Sequence, residues 1–218
     1  MAEAEAVALL LAAMACGERL AAGRARDNVR FAPDERSRKE QEHVAEREER
    51  NSELVEARLA EVGSLEMEGR FQPFLEIFHE RTAPSDWIEA QTFHYVGDAL
   101  TSEFADAMVK ELDPVSAEVF RQALVDREEQ ETFALDELKR AMDEDPAVRT
   151  RIAEYARRIS GEALTQTSRA LDAAAALREL LGGAEGEKRL LLDLLERHRV
   201  RLDRLGIDYL ESDADDED

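Results

Sequence analysis

The stretch VALLLAAMACGERLAA, Val7 to Ala22, sets one acid inside an otherwise apolar run. Val7, Leu11, Met14, Glu18 and Ala21 recur at spacings of 4, 3, 4 and 3, the period of one helical face. A helix with this pattern buries Glu18 together with its apolar neighbours. The next periodic stretch, HVAEREERNSELVEARLAEV from His43 to Val62, repeats the arrangement. Its inner positions are Val44, Glu48, Asn51, Val55, Leu59 and Val62, so Glu48 and Asn51 share the inner face at i and i+3. Two successive helices with acids in their apolar stripes predict a bundle with carboxylates pointing inward.

Working outward, the rest of the chain also reads as helix. Ala, Leu, Glu and Arg dominate its 218 residues, and only five prolines occur, a composition that favours helix throughout. The first helix ends near Asn28, before Pro33, and the second stops at Gly63. A connection from Gly69 to Pro84 carries Phe71, Phe74 and Phe78, and its aromatics predict a packed crossover. A third helix runs from an N-cap at Ser85 to about Glu111. Asp113-Pro114 and Asp145-Pro146 open the fourth and fifth, while Gly182-Gly183 and Gly206 close the fifth and sixth. Two helical hairpins joined by one long crossover is the ferritin-like topology. The expected fold is therefore an all-α, ferritin-like four-helix bundle with two additional C-terminal helices. It forms one domain over 1–210, followed by an acidic disordered tail, 211–218.

Charge limits the partners. The net charge is −22, and 211–218 contributes six acids and no base. Nucleic-acid binding needs a basic stripe to displace counterions from phosphate, and every Lys/Arg cluster here is interleaved with acids. An anionic membrane surface is disfavoured for the same reason. A small-molecule substrate, a cation or a basic protein surface fits better, and a homo-oligomer stays an open alternative. The run ALLLAAMAC, Ala8 to Cys16, has the look of a lipoprotein signal, but Glu3 and Glu5 precede it where a secretory segment carries Lys or Arg. Cys16 is the only cysteine, which excludes an internal disulfide and suits the cytoplasm.

The remaining inward acids come from the third and fourth helices. Asp98 lies one turn after His94, beside an apolar stripe of Phe93, Leu100 and Phe104. In the fourth helix Val119, Ala123, Asp126, Gln130 and Phe133 line up, with Glu129 three residues after Asp126. Several carboxylates in a dry core repel one another and favour protonation. A bound cation resolves that conflict, and di-iron bundles do it with carboxylates and Glu-x-x-His pairs on facing helices. The bland alternative is that acids of so acidic a chain fall on any face.

Three stretches resemble a known family: HERTAPSDWIEA (His79 to Ala90), HYVGDAL (His94 to Leu100) and ISGEALTQ (Ile159 to Gln166). They look like an actinobacterial family of ferritin-like proteins related to the di-iron hydroxylase of 2-methylthio-isopentenyladenosine in tRNA. The resemblance implies metal ligands at Glu18, Glu48, Asp98 and Asp126. It puts Asn51 and Glu129 where the family has histidines; either those oxygens complete the set, or His94 supplies a nitrogen ligand from another direction, or the site is dead. An oxygen-rich set of this kind suits manganese or another hard metal more than iron. Glu40 to His43 spells a literal Glu-x-x-His but falls two turns too early to face Glu18.

Two functions follow. One is an oxygen-activating di-iron hydroxylase or oxygenase with an unidentified substrate. The other is a metal-free ferritin-like bundle acting as a binding or scaffold protein. The bland readings make His79 a loop-fixing residue, Trp87 a core anchor, Cys16 a packed small residue and His198 an exposed position. They also make the run Arg127 to Glu131 solvated surface apart from Glu129.

Overall fold

The computed structural model describes residues 2–208 except 64, 110, 111 and 126, with the side chains of 2, 3, 105 and 106 also left aside. Among the described residues every regular element is helical. The first hairpin pairs α1 (Ala2–Asn28) with α2 (Glu35–Val62). Asp34 caps α2, its carboxylate accepting from the Ser37 amide at 2.8 Å, which satisfies one of the orphan donors of a helix N-terminus. Helix α1 is long and apolar enough to cross a membrane by length and composition, but 61% of its apolar window is buried inside the bundle.

The crossover is more ordered than a loop. A 3-10 segment, Leu65–Arg70, leads into α3 (Gln72–Arg81), and Pro73 sits in its first turn where no amide donor is needed. Arg24 of α1 holds its end: the guanidinium donates to the His79 carbonyl and to Thr82 Oγ1, and stacks 3.8 Å from the Phe93 ring centroid. From the other side Tyr155 Oη donates to the Thr82 carbonyl at 2.8 Å. His79 does fix the crossover, through its carbonyl, while its ring packs against Phe78 and Phe93.

The second hairpin departs from two uninterrupted helices. Its first arm comprises α4 (Trp87–Thr92), a π-helical turn (Phe93–Gly97) and α5 (Asp98–Val109). The N-cap is Asp86 rather than Ser85, accepting from the Glu89 amide at 2.9 Å. The second arm is split into α6 (Pro114–Ala123) and α7 (Arg127–Glu144). Three further helices, α8 (Val148–Ala173), α9 (Ala175–Leu180) and α10 (Gly183–Arg204), wrap the bundle. Gly182 and Gly183 take φ of 91° and 69° between α9 and α10, a left-handed region that glycine enters without steric cost.

Two apolar clusters flank the middle of the bundle. One gathers Leu10, Leu11, Leu59, Phe120 and Leu171; the other gathers Tyr95, Leu138, Ile152, Tyr155 and Leu194. His198 faces inward from α10 and is fully buried, which corrects its expected exposed position. Arg197, Arg199 and Arg201 surround it in sequence, but Arg197 and Arg199 stay exposed while Arg201 turns to Glu103 of α5 at 3.3 Å. Trp87 is buried as expected, and its Nε1 donates to Glu137 Oε2 at 3.0 Å.

Candidate functional site: a buried ion cluster beside an apolar cavity

Four segments of the bundle send polar side chains into one connected network. Helix α1 contributes Glu18, α2 contributes Gln41, Arg47 and Glu48, the π-helical turn and the start of α5 contribute His94 and Asp98, and α7 contributes Arg127 and Gln130. Glu18 and Glu48 are each 3% exposed. The π-helical turn inserts an extra residue into the helical repeat, a feature frequent at functional sites; it carries His94, whose i+4 neighbour Asp98 opens α5.

Arg127 lies at the centre. Its Nη2 is 2.6 Å from Glu18 Oε1 and 3.6 Å from Glu48 Oε2, and its Nη1 donates to Ser102 Oγ at 3.0 Å. Arg47 supports Glu48 from the other side, Nη2 to Oε1 at 2.6 Å, and the same nitrogen donates to Gln130 Oε1. Gln130 turns its amide nitrogen to Asp98 Oδ2 at 2.9 Å. His94 bridges the remaining groups, with Nε2 3.1 Å from Gln41 Oε1 and Nδ1 2.8 Å from Asp98 Oδ2. Since Gln41 Oε1 can only accept, Nε2 carries the proton in that contact.

Their surroundings push the two glutamates in opposite directions. Burial pushes Glu18 well above the usual carboxylate range; Arg127 opposes this, and the nearby charges of Glu48 and Asp98 add to it. Burial also works against the charge of Glu48, but Arg127 and Arg47 prevail and hold it at about 2. Burial works against Arg127 too, and Glu18, Glu48 and Asp98 outweigh it, so the guanidinium keeps its proton more firmly than usual. The cluster is thus a network of ion pairs in which an arginine supplies the cation.

The expected ligands separate on this geometry. Glu18, Glu48, Asp98 and His94 come together. Asn51 is buried next to them, but its Nδ2 donates to the Ala123 carbonyl at 2.9 Å, closing a carbonyl that the break after α6 leaves without a helical partner. Glu129 points to solvent. Asp126 lies outside the described residues. The run Arg127 to Glu131 is surface only in part: Gln130 is buried as its place in the inner stripe predicts and Glu128 is exposed, but Arg127 turns to the core and Glu129 is on the surface. A continuous fourth helix sets Asp126 in the inner stripe, whereas α7 starts afresh after the break and its inner face is Arg127, Gln130, Ala134 and Leu138.

A di-metal centre does not fit the residues as arranged. Metal ions need lone pairs directed at them from about 2 Å. Here a guanidinium nitrogen stands against the carboxylates of Glu18 and Glu48, and both ring nitrogens of His94 face other side chains. Among the described residues no three His, Cys, Asp or Glu side chains are placed to hold one ion.

A cavity of about 170 Å³ opens beside the cluster, walled by α1, α3, α5 and α8. Met14, Phe71, Phe78, Phe104, Leu171 and Leu194 supply much of its apolar surface, and Glu18, Glu48, Asp98 and Arg127 contribute polar groups to the same wall. The α1 side is made by Ala13, Gly17 and Ala21, one turn apart; a Cβ on Gly17 meets nothing within 4 Å. Sequence reasoning missed the cavity because the small residues that form it look like ordinary helix filler.

The family model described as "Ferritin-like domain, actinomycetes" matches residues 2–184. That stretch takes in the whole bundle, the ion cluster and α8, and ends at the start of α10. No curated protein matches the chain.

Proposed function

The chain belongs to the actinomycete ferritin-like domain family, and we propose that it works as a metal-independent bundle that binds a small, largely apolar molecule in the cavity beside Glu18. The observation that carries this reading is the position of Arg127, whose one nitrogen reaches toward both Glu18 and Glu48. A guanidinium there meets the electrostatic need that metal ions meet in a di-iron bundle, so the carboxylates stay buried without them. What remains is a concave apolar site with a few convergent polar groups, the usual make-up of a ligand pocket. Its reducing compartment is the cytoplasm, in keeping with the single buried Cys16.

The oxygen-activating reading, with iron or manganese and a kinship to the tRNA hydroxylase, draws on the meeting of Glu18, Glu48, Asp98 and His94. It requires Arg127 to leave the cluster, and the −22 charge argues against a tRNA substrate. Two measurements separate the readings. Protein purified without chelator from iron- and manganese-supplemented cells should hold far less than one metal per chain, unchanged in Glu48→Ala. Saturating benzene should raise the melting temperature of the native chain and leave that of Gly17→Leu unmoved. Two metals per chain, lost in Glu48→Ala, restores the oxygenase; no benzene effect on the native chain removes the binding function.

A further inference from the structure

The chemistry of the ligand follows from the polar groups of the cavity wall that the ion cluster does not consume. Glu18, Glu48, Asp98 and Arg127 are already partnered with one another or with Arg47, His94 and Gln130. A cationic guest there meets the guanidinium, and an anionic one meets three carboxyls. Either would also give up its hydration in an apolar space. The other polar groups of the wall are His79, Thr101, Gln166 and Thr167. None of them is charged at neutral pH, since burial, with Arg24 nearby, pushes the His79 ring down to about 3. Thr101 Oγ1 is engaged with the Gly97 carbonyl at 3.3 Å.

Gln166 lies between Ala163 and Ala170 on the stripe of α8 that lines the cavity, and it is 3% exposed. Its amide nitrogen donates to Glu162 Oε2 at 3.2 Å, one turn back along the helix. Glu162 is ion-paired with Arg81 at 2.9 Å and can only accept, so the Gln166 amide cannot reverse. Its Oε1 is thereby fixed as an acceptor, and among the described residues it meets no donor. Buried acceptors are normally satisfied, and at the wall of a ligand pocket a bound molecule can bring the donor.

We infer, resting on the reading of the cavity as a ligand site, that it takes a small neutral hydroxyl compound, a single six-carbon ring whose O–H donates to Gln166 Oε1 while the ring lies among Phe78, Phe104 and Leu171. The volume sets the size: an engineered apolar cavity of about 150 Å³ holds benzene, so the 170 Å³ here takes one ring with one substituent. A bare hydrocarbon fills the space but leaves Gln166 Oε1 unpaired, which is how a site built for a hydroxyl discriminates against the analogue lacking it.

Calorimetric titration at neutral pH with phenol and toluene, near-isosteres that differ in the donor, tests this. Phenol should bind the native chain at least as tightly as toluene, although water holds phenol more strongly. Gln166→Met keeps the volume and removes the acceptor. It should weaken phenol about tenfold and leave toluene within about threefold, toluene also reporting that the variant is folded with its cavity intact. Gly17→Leu on the α1 wall and Ala163→Leu on the α8 wall should each abolish binding of both. Phenol tenfold weaker than toluene on the native chain, or unaffected by Gln166→Met, overturns the hydroxyl assignment and leaves the cavity reading standing. If Gln166→Met loses toluene as well, the native-chain comparison decides alone. Phenol binding that survives both cavity-filling changes lies elsewhere on the chain and overturns the inference. Failure of both probes on the native chain overturns the cavity reading itself.

Discussion

Replacing Arg127 with methionine tests the cluster most sharply by stability. The side chain is largely buried and makes two ion-pair contacts, at 2.6 Å to Glu18 and 3.6 Å to Glu48, with a third contact to Ser102. Removing one partner of a buried ion pair costs about 3–5 kcal/mol, because the other charge is left without compensation. Two features place the expected loss at the lower end. Burial already works against the charge on Glu18, and Glu48 retains Arg47 at 2.6 Å. The prediction is a loss of about 3 kcal/mol in urea or guanidinium unfolding at neutral pH. For a chain of this length that corresponds to roughly 6–12 °C in melting temperature. Adding Glu18→Leu to Arg127→Met should recover most of the loss, since exchanging a buried pair for apolar side chains is often neutral. A double-mutant cycle then reads a coupling of about 2 kcal/mol between the two positions. An Arg127→Met variant within 1 kcal/mol of the native chain, with no coupling to Glu18, would refute the claim that the guanidinium sits in the core.

Further outcomes follow from single residues. His198 is fully buried and burial, with Arg201 nearby, pushes it down to about 4 from 6.5. The unfolded chain then binds a proton that the folded chain refuses, so stability falls as pH drops from 6.5 toward 4, by about 3 kcal/mol from this residue. His198→Leu should flatten that part of the stability–pH curve in equilibrium unfolding. Glu18 acts in the opposite sense: its raised folded-state value stabilises the fold at low pH and is lost as pH rises through that value. Glu18→Gln should therefore make the chain relatively more stable at alkaline pH, measured in the same way. At Gly186 a Cβ would lie 1.6 Å from the Leu181 carbonyl oxygen, so Gly186→Ala should cost at least about 2 kcal/mol in unfolding measurements. Gly17→Ala, with open space around its Cβ, should instead raise stability by roughly 0.5–1 kcal/mol through helix propensity.

The fold was legible because its signals are local. Glycine and proline boundaries and the 3.6-residue period of α1 and α2 can be read directly, and Glu18, Glu48 and Asn51 are buried where that period puts them. The site was legible only in part. The buried acids do meet a cation, but two arginines on the inner faces supply it. Arg47 lies three residues after Val44, and Arg127 three before Gln130, so the same periodicity that selected Glu48 and Gln130 admits both. The register of α7 was lost at the break after Ala123, which no proline or glycine marks; continuing the helix through it exchanged Arg127 for Asp126 and brought Glu129 inward. The inward turn of His198 was hidden by the arginines around it, because charge along the sequence says little about which side of a helix meets its neighbours.

The measurement that bears most directly on the account is a crystal structure of the chain grown aerobically with ferrous iron, with anomalous data collected at the iron edge. The account predicts density for the Arg127 guanidinium against Glu18 and Glu48, and no anomalous peak within ligand distance of either carboxylate. One or two strong peaks about 2 Å from those oxygens, with Arg127 swung out of the cluster, would contradict it.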